Sequence, residues 1–308
     1  MSASNTRRIA KNSKSTGSTI IDNIKSITNK YDKKNKKDNN NTTLSIVCSL
    51  IIIILICIAI KHYAFKNGLL TCDDYVLNTY LYIVLSIFII YLMVLINDKS
   101  GIFDIMLYNS SLLIMLLILI VFIFLIYTLY KIPPQDIFKS NFVWLLLIML
   151  LGMCIIPVIE FGRQFGVLDN AAIYTCVIVI IIGLLGYYKG DYIVRFDWDY
   201  YLIISLIALF IIIIIGIICI IVYKPQLETF IKFIYIISII SLIIFMLLLL
   251  SDHKKLKENA DKCINGKGAV IPNYPTQSFT IIIKMYNIFT DLIHILGLRK
   301  ILKLGRKR

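Results

Sequence analysis

Charge is scarce in this sequence. Asp, Glu, Lys and Arg supply 16% of its 308 residues and apolar side chains 59%, a balance outside that of ordinary soluble domains, which excludes a soluble enzyme fold. Histidine is rarer still, with three residues, and no metal-ligand spacing, glycine-rich nucleotide loop or hydrolase motif occurs along the chain. A membrane enzyme is disfavoured on similar grounds, since no paired carboxylates and no nucleophile–base arrangement recur at usable spacing. No metal or other cofactor is expected.

What the chain has in abundance is long apolar runs. They cover 44–60, 77–96, 105–130, 142–159, 171–188, 200–223 and 229–250, with a weaker eighth at 278–298. About twenty residues at 1.5 Å rise cross a hydrocarbon core, and only a helix satisfies its own backbone there. The Ile-rich texture would favour strand in water, but in lipid the run length and the absence of turn residues decide for helix. Breakers stand between the runs, among them Asn97 to Gly101, Pro133-Pro134, Gly162 to Gly166, Gly190-Asp191 and Lys224-Pro225. Tyr and Trp gather near run ends, at Tyr130, Trp144, Tyr187, Tyr188, Trp198, Tyr200 and Tyr201, as an interfacial belt requires. The predicted fold class is an all-α polytopic membrane protein.

The charge that exists is mostly basic, with 32 Lys and Arg against 18 Asp and Glu. Ten of the basic residues lie between Arg7 and Lys37 and six between Arg299 and Arg308. That placement points to tails beside anionic lipid, and no nucleic-acid partner is expected. Residues 1–43 hold too little apolar surface to offset ordering entropy and read as a disordered basic tail. Its late first acidic residue, Asp22, also gives it the look of a mitochondrial presequence. With eight crossings and a cytoplasmic amino terminus, 19 basic residues fall on the cytoplasmic side and 11 opposite. If the first run does not span and the last is re-entrant, both tails share the cytoplasm with the Lys254–Lys267 loop, which satisfies the positive-inside rule better. On that rule, 252–275 and the carboxyl tail are expected together in the cytoplasm. Cys72 and Cys263 are the cysteines in polar stretches. A disulfide between them needs an oxidising compartment, so two free thiols are favoured.

The eighth run carries a polar stripe. Lys284, Asn287, Asp291 and His294 are spaced 3, 4 and 3, which puts them on one helical face, with Ile283, Tyr286, Phe289, Ile293 and Leu296 on others. Such a stripe lines a bundle interior or hydrated cavity, or else lies solvated on a surface helix. Asp191, with Asp197, Asp199 and Arg195, forms an acidic loop that reads either as a cation-gathering pore mouth or as a solvated turn. His62 and His253 sit at run ends beside lysines and read as interfacial. Pro157 is placed to interrupt one helix.

The same eighth run resembles the final helix of the transmembrane Bax inhibitor motif family. Asn287-Ile288-Phe289, followed by Leu292-Ile293 and Ile295-Leu296-Gly297, is similar to that family's N-[LI]-F and L-x-x-[IL]-L-G pattern. Ser251-Asp252-His253-Lys254 stands where the family has Tyr-Asp-Thr-Gln. Ala171-Ala172 with Thr175, then Lys189-Gly190-Asp191-Tyr192 and Tyr201-Leu202, resembles its fourth helix and the turn into the fifth. The resemblance covers about 77–298. It implies a seven-helix bundle over those residues, an added hydrophobic anchor at 44–62, and a basic tail at 299–308.

The resemblance further implies a calcium leak channel, or a regulator of intracellular calcium and cell death, in the endoplasmic reticulum or Golgi. Calcium ions, lipids and membrane proteins of the death pathway would be its partners. Its implied ion pathway runs past Asp252, Lys284, Asn287, Asp291 and His294, with Asp191 at the mouth. Two departures stand out. The family's Asp three residues before the Asn is Lys284 here, and its acidic residue in the third helix is missing, Gly152 to Cys154 taking that region. A carboxylate pair sharing a proton titrates, whereas an Asp–Lys pair favours both ionised forms. Asp252 is thus the first expected partner of Lys284 and Asp291 the second. The alternatives from the residues are a non-channel scaffold and a secondary transporter, and for location the mitochondrial inner membrane.

Overall fold

The computed structural model describes residues 39–66, 69–101, 112–193, 204–205, 207–208, 211–212, 227–264 and 272–306. Most of the basic tail, the start of the 105–130 run, the greater part of the 200–223 run, and Arg195, Asp197 and Asp199 lie outside the described residues, as does the side chain of Asp191.

Helices make up nearly all of what is described. They are α1 (Asn39–Tyr63), α2 (Tyr75–Ser100), α3 (Leu112–Lys131), α4 (Ile137–Cys154), α5 (Ile156–Gln164), α6 (Leu168–Ile193), α7 (Leu227–Ile264) and α8 (Tyr274–Arg306). A minimal antiparallel ladder pairs β1 (Phe65–Lys66) with β2 (Leu69–Leu70) in the turn after α1. Among the described residues, six helical stretches are long and apolar enough to cross a membrane. These are Thr42–Tyr63, Tyr75–Ser100, Ile137–Gln164, Leu168–Gly190, Thr229–Cys263 and Tyr274–Lys303. The protein is a multi-pass, all-helical integral membrane protein. α4 and α5 form one such stretch, bent at Ile155, where the Ile155 N–H still reaches Leu151 O at 3.0 Å. Pro157 enters at the first turn of α5, where a missing N–H leaves no hydrogen bond unmade.

α8 is the central element. It packs against α7, α2, α6, α5 and α4, with Phe279, Ile281, Ile288 and Ile293 essentially inaccessible. Its length, about 50 Å at 1.5 Å per residue, exceeds a hydrocarbon core. Both ends are pinned. At one, the buried Tyr274 donates its hydroxyl proton to Thr71 O, and Asn78 Nδ2 donates to Tyr63 O at 3.2 Å and Asp73 O at 3.1 Å. At the other, Lys300 Nζ donates to Phe165 O at 2.7 Å and Gly166 O at 3.1 Å.

The chain ends of the bundle can be assigned from these ties. Arg163 grips Asp98 through two hydrogen bonds of 2.6 and 2.7 Å and meets Glu160 at 2.7 Å, on the same end as Lys300. Lys99 reaches Thr43 at 3.4 Å, so α1 starts on that end too. The opposite end holds Cys72 and Cys263, joined in a disulfide with 5.5 Å between their Cα atoms. The expectation of two free thiols is thereby overturned. One unbroken helix, α8, long and apolar enough to cross a membrane, carries the chain from the disulfide end to the Lys300 end. α1, an added hydrophobic helix, packs along α2 and keeps most of its apolar surface turned outward, toward lipid.

α6 approaches α7 through Gly183, Gly186 and Gly190, spaced 3 and 4. A Cβ at Gly186 would lie 2.7 Å from Leu250 O and 2.8 Å from His253 Cβ, and because the nearest atom is backbone, the two helices must separate to admit it. Gly186→Ala is expected to cost about 1–3 kcal/mol through overpacking. The measurement is the midpoint of thermal unfolding in detergent. A midpoint unchanged from the parent would mean that α6 does not sit this close.

Candidate functional site

α7 and α8 run side by side, and their polar positions meet across the seam. Lys284 Nζ lies 2.8 Å from Asp252 Oδ2, with side-chain exposures of 15% and 9%, low enough that water screens the pair little. The apolar stretch of α7 ends at Leu250, and the polar turn that follows, Ser251-Asp252-His253, is buried rather than solvated. It is buried because α7 continues as a helix to Ile264 while α6 and α8 cover it.

The remaining stripe residues separate in their surroundings. Asn287 turns its amide back to its own helix, Nδ2 donating to Ile283 O at 2.7 Å. Asp291 is buried and faces Ser241 of α7, and its Oδ2 has no hydrogen-bond partner. His294 sets its ring edgewise against Phe161 of α5, centroids 5.8 Å apart. Tyr286 and Phe289, on another face, pack with Val94, Ile155 and Ile156. Asp291 is buried and Lys284, Asn287 and His294 are half-buried, so the stripe packs against the neighbouring helices and is not fully solvated. Lys284 is paired with Asp252, the first of its two expected partners. An unpaired buried carboxylate oxygen, as at Asp291, is costly unless a cation or proton meets it.

Two groups near this seam were misread or unremarked in the sequence. His253 is wholly buried, not interfacial: its Nδ1 bonds to Leu249 O at 2.8 Å, and its Nε2 has no partner. The glycines of α6 were the available signal, since their spacing marks a face where another helix approaches closely. Tyr274 and Asn78, which knit α8 to the α1–α2 turn, had no signal at all, being polar residues among polar residues. Among the described residues, no group of three or more His, Cys, Asp or Glu is placed to hold a metal ion.

Residues 72–300 match the sequence profile of a family described as "Inhibitor of apoptosis-promoting Bax1". The match begins at the disulfide cysteine and leaves α1 outside it. No curated protein matches the chain.

Proposed function

The chain belongs to the Bax inhibitor family, and from that premise we propose that it is a cation leak pathway, or its regulator, for calcium in an intracellular membrane of the secretory system. The observation that carries this reading is the buried stripe on a central helix, where Asp252, Lys284 and Asp291 stand within a bundle that keeps other charge at its ends. Ionised groups at that depth are costly, and their retention fits a route for ions better than packing alone.

The chemistry of the pair governs the route. Lys284 places a positive charge beside Asp252, which repels an approaching divalent cation and occupies the carboxylate it would need. Two carboxylates in the same place would compete for one proton and open as it leaves. An ammonium against a carboxylate has no proton to share. We therefore assign this protein a small leak with weak pH dependence. By the family's description, a role in restraining Bax-dependent cell death is part of the same proposal.

Lys284→Asp tests it. Proteoliposomes loaded with a calcium dye are expected to show larger flux for the variant, rising in steepness between about pH 6 and 8, where coupled carboxylates can titrate. A parent that already conducts with steep pH response would refute the role given to Lys284. If neither protein conducts, the chain is a scaffold and the leak reading falls.

A further inference from the structure

The Asp252–Lys284 contact is covered in this structure, since Asp252 Oδ2 has essentially no accessible surface. A helical side chain leans back over the turn that precedes it, so Lys284 leans toward the disulfide end. That turn carries Thr280, four residues before Lys284 and on the same face of α8. Thr280 Oγ1 is met from outside the α7–α8 seam: the hydroxyl of Tyr130, in the last turn of α3, lies 2.7 Å away. Thr280 gives its own proton to Thr276 O at 2.9 Å, so Tyr130 is the donor. The charged side chains that act electrostatically on the Tyr130 hydroxyl are Asp252 and Lys255 of α7, which places the phenol beside the ion pair as well as against α8.

Of the groups that cover the pair, Tyr130 is the one free to move. α7 and α8 are fixed to each other between the pair and the disulfide end by Asn259 Nδ2, which donates to Gln277 Oε1 at 3.3 Å. Both helices are also tied to the turn at Thr71 and Cys72, α7 by the disulfide and α8 by Tyr274. α3, by contrast, packs chiefly against α4. Leu129 anchors its end in the core, while Tyr130 beside it keeps 55% of its surface exposed. A half-exposed phenol held to α8 by its hydroxyl can change rotamer with little repacking, whereas parting α7 from α8 would break the ion pair itself.

We propose that Tyr130 is a lid on the Asp252–Lys284 site, its hydrogen bond to Thr280 keeping water and cations at the disulfide end away from the pair. Opening exchanges that bond for one to water and leaves the pair formed but wetted. The bearing of the lid on ion flux rests on the leak reading; the lid itself does not.

Carbodiimides test it, because they join a carboxylate to an amine in contact with it as an amide, the lost oxygen and protons leaving with the reagent as a urea. In phosphatidylcholine nanodiscs, a cationic water-soluble carbodiimide is expected to form the Asp252–Lys284 cross-link about five to ten times faster in Tyr130→Phe and in Thr280→Val than in the parent, the change that losing one hydrogen bond allows. A lipid-soluble carbodiimide is expected to show no difference among the three proteins, since the lid does not bar the lipid side. Tyr127→Phe, which removes an exposed hydroxyl from the same helix, is expected to match the parent with both reagents. Equal rates with the water-soluble reagent, or an equal rise in Tyr127→Phe, would overturn the lid. A difference with the lipid-soluble reagent would mean that the hydroxyl holds the pair together and would overturn it as well. Thr280→Val leaves Tyr130 in place, so the test survives a folding defect in either variant. Cross-linking needs no conduction: absence of calcium flux from every protein refutes the leak reading and leaves the lid standing.

Discussion

Lys284→Ala and Asp252→Ala each lose about 3–5 kcal/mol of stability, because removing one member of a buried ion pair strands the other without its counter-charge. The 2.8 Å contact and the low exposure of both side chains set this expectation. The double variant Asp252→Ala with Lys284→Ala, in which neither charge is left stranded, is expected to regain most of the loss. Folded yield after extraction and the midpoint of thermal unfolding in detergent are the measurements. A sum of the two single losses in the double variant would mean that the residues do not act on each other. The sign of this coupling is independent of ion flux, so it tests the site even if the leak reading fails.

The second large effect is covalent. The Cys72–Cys263 bridge closes a loop with a sequence separation of 191, and removing a native disulfide typically costs about 2–4 kcal/mol. Cys72→Ser is expected to unfold at a lower temperature than the parent and to release one thiol at Cys263 to maleimide. The bridge also assigns compartments, since disulfides persist where the environment oxidises. On that ground the Cys72 end is expected to face the lumen, and the end holding Thr43, Arg163 and Lys300 the cytoplasm. A glycosylation acceptor inserted near Gly266 is expected to be modified, and a carboxyl-terminal tag is expected to be digested by protease added outside sealed microsomes. The reverse pattern would place the bridge in a reducing compartment and contradict the assignment.

That orientation differs from the one the loop charges favoured. Five basic residues between Lys254 and Lys267 weigh toward the cytoplasm when each loop is counted alone. Three facts outside any single loop weigh the other way: α1 is long and apolar enough to cross, α8 is unbroken, and two cysteines far apart in sequence meet. Positive-inside counting adds up loop charges, whereas the topology is fixed by which helices are continuous.

His253 teaches the same lesson on a smaller scale. Its neighbours in sequence, Asp252, Lys254 and Lys255, look like the edge of a membrane span. Gly183 and Gly186 admit it into the α6–α7 seam from a distance of some seventy residues, and no local pattern around the histidine records that.

By itself the sequence determined the class, because run length and hydropathy are local properties that lipid reads one segment at a time. It also determined which face of the last helix is polar, since a spacing of 3, 4 and 3 follows from helical pitch, and it singled out Lys284 and Asp252 as partners through a family pattern. Only the tertiary structure decided that the pair is in contact, that Asp291 and His294 look toward different neighbours, that Cys72 meets Cys263, and that His253 is buried in the seam between α6 and α7. Those outcomes depend on the rotation and register of each helix against the others, and these are set by close packing between residues that the chain keeps far apart.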